Sequence, residues 1–271
     1  MQAYVASAAS LVYTNDGSVY YGYYQASNGD LVEIVFSNTS FASSNDLEDA
    51  NRTVALAENT YPKTPMAATS WTETAGTSFV SLWSHDNKAS NMADSRQRAL
   101  FFQNSAGMVM VTNTTGTQPW STPYGILRDD HAVVQGVGLA VGSGTNKQTL
   151  NGVRVYYGTF NVHASHTTPM LTDHTASAAG LIQEAGTDFS GFGSTVQGPP
   201  WSIWKSFDNS DAGSGVAFTM NGPQMNLYVA NQTSGALQQW SWNYETDNSW
   251  QCQSGRLQHA RGDCRRPVED I

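Results

Sequence analysis

Charge is scarce in this 271-residue chain: 13% of residues are Asp, Glu, Lys or Arg, and the basic ones number 13 against 22 acidic. The formal net charge of −9 excludes a broad nucleic-acid surface, because phosphates would be repelled. There is no run of about 18 apolar residues, so no membrane-spanning helix is expected. The opening MQAYVASAAS lacks the basic start and apolar core of a secretory leader. Either the numbering begins after processing or export takes another route. Helical periodicity is also missing; ANRTVALAEN (50–59) fits two turns of helix or a strand equally well. The only cysteines are Cys252 and Cys264. A local disulfide in an oxidising compartment and two free thiols both fit that pair. Nucleophilic triads, phosphate-cradling loops and dinucleotide fingerprints are absent.

What the chain has is turn chemistry and rings. Gly, Ser, Thr and Asn are abundant and aromatics reach 11%, a mix that suits an all-β, turn-rich, extracellular protein. Sequons at Asn38, Asn51, Asn113 and Asn231 agree with secretion. In VYYGYYQASNGDLVEIVF (19–36), Asn28-Gly29 between two β-rich runs predicts a hairpin with a type I′ turn. Side chains alternate along a strand, so Leu31, Glu33 and Val35 share one face and Val32, Ile34 and Phe36 the other. Both faces are largely apolar, which implies a strand covered on both sides. A carboxylate there requires a partner: a structural arginine such as Arg52 or Arg154, or a ligand.

The hairpin repeats. YYQASNGDLVEIV (23–35) aligns without a gap on FFQNSAGMVMVTN (101–113), Gly29 meeting Gly107. LYVANQTSGALQQWSW (227–242) fits with one inserted residue and places its glycine at Gly235, while VRVYYGTFNV (153–162) keeps only the aromatic strand. Tryptophans recur as ATSWT, QPWST, PPWSI and NSWQC, and the gaps Trp71 to Trp120 and Trp201 to Trp250 are both 49 residues. A strand, a hairpin and a closing Trp repeating at roughly 45–50 residues is the pattern of a β-propeller blade. The expectation is therefore all-β: a propeller of about five or six blades over residues 1–250, with a β-sandwich as the competitor. The arginine-rich, aromatic-free residues 251–271 read as a disordered or peripheral tail, and the RGD at Arg261–Asp263 as a chance tripeptide.

A blade reading R-V-Y-Y-Q … G-x-(I/L)-x-E … W resembles the fungal fucose-specific lectins of the Aleuria type, which are six-bladed propellers. VRVYYG (153–158) carries the arginine end of that pattern, and GYYQASNGDLVEIVF (22–36) the aromatic pair, the turn glycine and the glutamate. The resemblance implies a metal-free sugar site between adjacent blades, where a second-strand arginine and a third-strand glutamate bind hydroxyls beneath an aromatic ring. Carried over residue by residue, the set is broken. Glu33 is present, but Tyr21 stands where the arginine belongs. Ala99 and Val111 fill both positions of the second hairpin, with Arg98 one residue off. Arg154 has no glutamate at matching distance, and Asn226 and Gln239 stand in for the pair in the last hairpin.

The expected function is thus carbohydrate binding without transformation, with no cofactor and no metal. The candidate ligand-binding residues are Glu33, Arg154, Gln239 and Trp240, with Tyr21, Trp71, Trp120 and Trp201 as aromatic platforms. Expected partners are glycans, fucosylated or related, with a homodimer as an option and a secreted or extracellular setting. The enzyme alternative is a propeller glycosidase, which needs two carboxylates converging within roughly 5–10 Å; its candidates are Glu33, Asp129, Asp130 and Glu184. A structural protein with lost sugar sites is the third reading. His163, His166, His174 and Asp173 read as a solvated loop, since i and i+3 face opposite sides of a strand. WKSFDNSDAGSG (204–215) lacks the acidic spacing and closing glutamate of a calcium loop.

Overall fold

The computed structural model describes residues 9–13, 19–37, 52–72, 96–116, 118–126, 133, 138–146, 150–159, 181–188, 201–221, 223–247 and 249–253. They form four antiparallel sheets of four strands. The first sheet contains β1 (Ala9–Tyr13), β2 (Val19–Gln25), β3 (Leu31–Ser37) and β4 (Arg52–Ala55). The second contains β5 (Met66–Thr72), β6 (Arg96–Gln103), β7 (Val109–Thr115) and β8 (Tyr124–Gly125). The third contains β9 (Ala140–Asn146), β10 (Leu150–Thr159), β11 (Leu181–Asp188) and β12 (Ser202–Phe207). The fourth contains β13 (Val216–Asn221), β14 (Gln224–Ala230), β15 (Leu237–Asn243) and β16 (Gln251–Gln253).

Three hairpins share one turn. Gly29 donates to the Ala26 carbonyl at 2.8 Å, and Gly107 donates to the Asn104 carbonyl at 2.9 Å. Gly235 reaches Asn231 at 2.8 Å across the one extra residue expected there. The glycines carry φ of +94°, +82° and +66°, a conformation that any Cβ strains. The turn is not type I′, which needs positive φ at both central positions; Asn28 is not left-handed. Asn28 instead uses its side-chain oxygen to accept from the Asp30 amide at 3.1 Å. Asn231 is likewise consumed by its turn: it is buried, and its side-chain oxygen accepts from the Thr233 and Ser234 amides.

The sheets radiate from an axis. Their first strands lie side by side, β1 by β5, β5 by β9 and β9 by β13, and hydroxyls stitch them together. The Ala68 amide donates to Ser10 Oγ at 2.9 Å, Thr69 and Ser143 hydroxyls meet at 2.7 Å, and Ser143 donates to the Ser70 carbonyl at 3.0 Å. Small residues make this approach feasible: a Cβ at Gly142 would lie 2.1 Å from the Phe218 ring.

Each interior wedge has its own core. Tyr23, Leu31 and Val54 of the first sheet meet Met66, Leu100 and Phe102 of the second. Ala99, Phe101 and Val111 meet Val153, Val155, Tyr157 and Ala185 of the third. Tyr156, Ile182 and Phe207 meet Met225, Leu227, Val229 and Trp240 of the fourth. Because successive residues alternate faces, each middle sheet is buried on both sides. This is a β-propeller, and the sandwich alternative falls.

The described residues hold four blades. The tryptophan rhythm needs correction, because it is only partly a blade rhythm. Trp120, Trp201 and Trp250 each precede the fourth strand of their own sheet, but Trp71 lies on the first strand of the second, so its 49-residue gap to Trp120 is coincidental. The fourth sheet takes in Gln251–Gln253 and so runs past the boundary expected at residue 250. Cys252 is disulfide-bonded; Cys264, the chain's other cysteine, lies outside the described residues, as do Asp129, Asp130, the three histidines and the RGD.

Candidate functional site

One diagonal recurs in every sheet. In the third, Arg154 pairs with Gly186 and Tyr156 with Glu184, so the arginine and the glutamate are diagonal neighbours on one face, within mutual reach. The same offset relates Asn226 to Gln239 in the fourth sheet, Tyr21 to Glu33 in the first, and Ala99 to Val111 in the second. In the first three sheets the diagonal looks toward the following blade, and in the fourth it lies on the outward face.

The third-to-fourth wedge holds the full set. Arg154 and Glu184 are both buried and form a salt bridge through Nη1 and Oε1. The other carboxylate oxygen accepts a 2.9 Å hydrogen bond from Trp250 Nε1 on the fourth blade. The guanidinium carbon lies 4.5 Å from the ring centroid of Trp204 on β12 and 4.7 Å from that of Trp242 on β15, so two indoles flank the cation. Trp204 is 46% exposed and covers Gly186, where a Cβ would collide with its ring at 2.2 Å. Arg154 Nε and the Tyr156 hydroxyl are buried with no well-aligned hydrogen bond, and the phenol lies against the Arg154 side chain. Burial raises the Glu184 pKa, opposed by Arg154, the Trp250 N–H and Lys205.

The first-to-second wedge is assembled differently. Glu33, fully buried, accepts from Arg98 Nε at 3.1 Å and from the Tyr23 hydroxyl at 2.9 Å, and pairs with Arg52 Nη1 at 3.5 Å. Arg98 belongs to the second blade. Being one residue off the diagonal turns it to the opposite face of β6, back toward Glu33. Its guanidinium carbon sits 4.0 Å from the Tyr21 ring centroid and 5.9 Å from that of Trp120, and Arg98 Nη2 donates to the Gly116 carbonyl at 2.9 Å. Arg52 also donates to the Gln118 carbonyl. Burial, and then the charge of Glu33, holds the Tyr23 phenol protonated well above its usual range.

The other expected residues fall elsewhere. Trp201 packs edge-on against Phe101 at 5.7 Å in the apolar second-to-third wedge, where Ala99 and Val111 occupy the diagonal. Gln239 donates to Asn226 Oδ1 at 3.0 Å on the outward face of the fourth blade. Trp240 is its neighbour in sequence and therefore points the other way, packing on Phe207 at 5.4 Å. These two candidates, Gln239 and Trp240, therefore lie on opposite faces of β15 and do not converge. The side chain of Trp71 is not among those described.

Arg154 does have its glutamate. In sequence Glu184 fits only a hydrolase acid, because 21 residues between β10 and β11 separate it from the position a short hairpin would give. Arg52 is the Glu33 partner that the sequence offers, whereas Arg98, Trp204, Trp242 and Trp250 are site residues that it does not flag. Strand parity alone would have flagged Arg98.

No family model and no curated protein matches the sequence. Solved structures do match. The chain superposes on the six-bladed β-propeller fungal lectin of Aleuria aurantia with a TM-score of 0.59 at 14% identity, covering 94% of this chain and 65% of that one. The SapL1 lectin in complex with alpha methyl fucoside gives a TM-score of 0.54 at 18% identity, covering 91% and 63%. AofleA from Arthrobotrys oligospora gives 0.54 at 13%, covering 94% and 58%. The chain thus spans about two thirds or less of the length of these proteins, in keeping with four blades set against six. By likeness of fold, and at that level, this chain is a β-propeller of the architecture seen in the Aleuria lectin.

Proposed function

We propose that this propeller is a lectin-like protein that binds a neutral saccharide, with L-fucose the first candidate, between its third and fourth blades. The observation that carries the reading is the Arg154–Glu184 diagonal buried among Trp204, Trp242 and Trp250. A sugar hydroxyl is both donor and acceptor, and a guanidinium beside a carboxylate offers both complements as charge-assisted bonds. The Tyr156 hydroxyl, beside Arg154, adds a further polar group to the wedge. Indole faces shield C–H groups or a methyl from water. The choice of fucose rests on the fucoside held by the SapL1 structure and on the aromatic surface available to a 6-methyl group.

Binding without hydrolysis is part of the proposal. Glycoside cleavage needs two carboxylates across one pocket, and the two candidates among the described residues, Glu33 and Glu184, occupy different wedges, each tied to arginine. An extracellular setting is also proposed, supported by the disulfide-bonded Cys252. A glycan array at neutral pH, probed with the wild-type chain and with Glu184→Gln, tests the reading. Fucosylated or related neutral glycans should be retained by the first and not the second; a folded wild-type protein that retains none rejects it.

A further inference from the structure

The wedge between the first and second blades is not a copy of the saccharide cleft, and its hydrogen-bond inventory shows why. The acceptor side is fully engaged. Both oxygens of Glu33 are taken by Arg98, Tyr23 and Arg52, and the Gly116 and Gln118 carbonyls are taken by Arg98 and Arg52. Donors, by contrast, are in surplus. Arg98 Nη1 and Trp120 Nε1 are both buried with no hydrogen-bond partner, and Arg98 is 1% exposed. Among the described residues, two guanidiniums share this wedge with one carboxylate, so one positive charge is left uncompensated. A buried guanidinium N–H without an acceptor is costly. Solvent reaches this wedge at Arg52, whose side chain is 30% exposed, and at the half-buried Tyr21 and Trp120.

We infer that this wedge is a second ligand site, one that takes the carboxylate or sulfate group of an acidic saccharide. An oxyanion is an acceptor without a donor, so it matches Arg98 Nη1 and Trp120 Nε1 where a hydroxyl would match them only in part. Its charge meets the unpaired guanidinium, and charge-assisted bonds of this kind are the strong ones. The rings of Tyr21 and Trp120 flank the Arg98 guanidinium and give the apolar face of a pyranose a surface to lie on. The two wedges then differ by chemistry: the third-to-fourth sets a hydroxyl beside an N–H, while the first-to-second leaves N–H donors alone. This site stands independently of the neutral-saccharide reading.

Titration calorimetry on the full chain tests it, with D-glucuronic acid, its methyl ester, galactose 6-sulfate, galactose, acetate and inorganic sulfate as probes. The two acidic sugars should bind at least about tenfold more tightly than the ester, galactose or the free anions. Trp120→Phe keeps the ring and removes the donor, and should weaken the acidic sugars about tenfold with an unchanged melting temperature. Arg52→Gln should also weaken them, and Glu184→Gln should leave them unaffected. Equal binding of acid and ester, indifference to Trp120→Phe, or loss on Glu184→Gln would each overturn the assignment. Free anions binding as tightly as glucuronate would overturn its saccharide part.

Discussion

Arg98 sits one position along β6 from the residue that aligns with Arg154, and that single step decides which wedge receives its charge. Had it occupied position 99, it would face the apolar second-to-third core; at 98 it meets Glu33 across the gap between blades. Arg154 is the opposite case, paired within its own sheet. Removing one member of a buried pair strands the other, at a cost of about 3–5 kcal/mol. Arg154→Met should therefore lower stability by that order in urea unfolding, while the double variant Arg154→Met/Glu184→Leu should recover most of the loss without restoring sugar binding. The pH dependence has a definite sign. Burial raises the native Glu184 pKa above its ordinary 4.5, so the native state holds this proton where the unfolded chain has released it. The associated stability is complete below the ordinary carboxylate value and is lost as pH rises through it toward the raised native value. In Glu184→Gln, a denaturation series across that window should be flatter than in the wild type; an unchanged slope would assign the dependence to other groups.

At the scale of elements, most of the hairpins were readable and the pairing across them was not. Tyr21, Ala99, Val111, Asn226 and Gln239 were placed on their diagonals by counting from the turn glycines, and the strand registers agree. The count works because a shared turn fixes register. It failed for Glu184, where the connection between β10 and β11 is long enough to hide the partner. It also failed for the tryptophan rhythm, since a ring before a fourth strand and a ring on a first strand look alike in sequence. Glycine matters here at specific contacts. A Cβ at Gly158 on β10 would sit 2.1 Å from the Ala212 carbonyl oxygen, a backbone atom with little room to yield. Gly158→Ala should destabilise the fold by about 1–3 kcal/mol, read by urea unfolding; a neutral result would mean that the 208–215 segment shifts freely.

At the scale of the whole molecule, no two of the described wedges are alike. The second-to-third is closed by Phe101 and Trp201, the first-to-second is cationic and rich in unused donors, and the third-to-fourth carries the arginine–glutamate diagonal beneath indoles. Composition pointed to an all-β fold and repeat spacing to radial sheets, because both are set locally. The side chains each wedge presents come from two walls contributed by distant segments, and only the assembled fold brings those together. Trp201→Ala should accordingly lower stability by about 3–5 kcal/mol and leave saccharide affinity untouched in the fraction that stays folded. The most direct measurement is a crystal structure of the chain soaked in L-fucose. The account predicts sugar density between the third and fourth blades, within hydrogen-bond distance of Arg154 and Glu184 and against an indole face. A well-ordered structure with that wedge filled by its own side chains and no sugar there would contradict it.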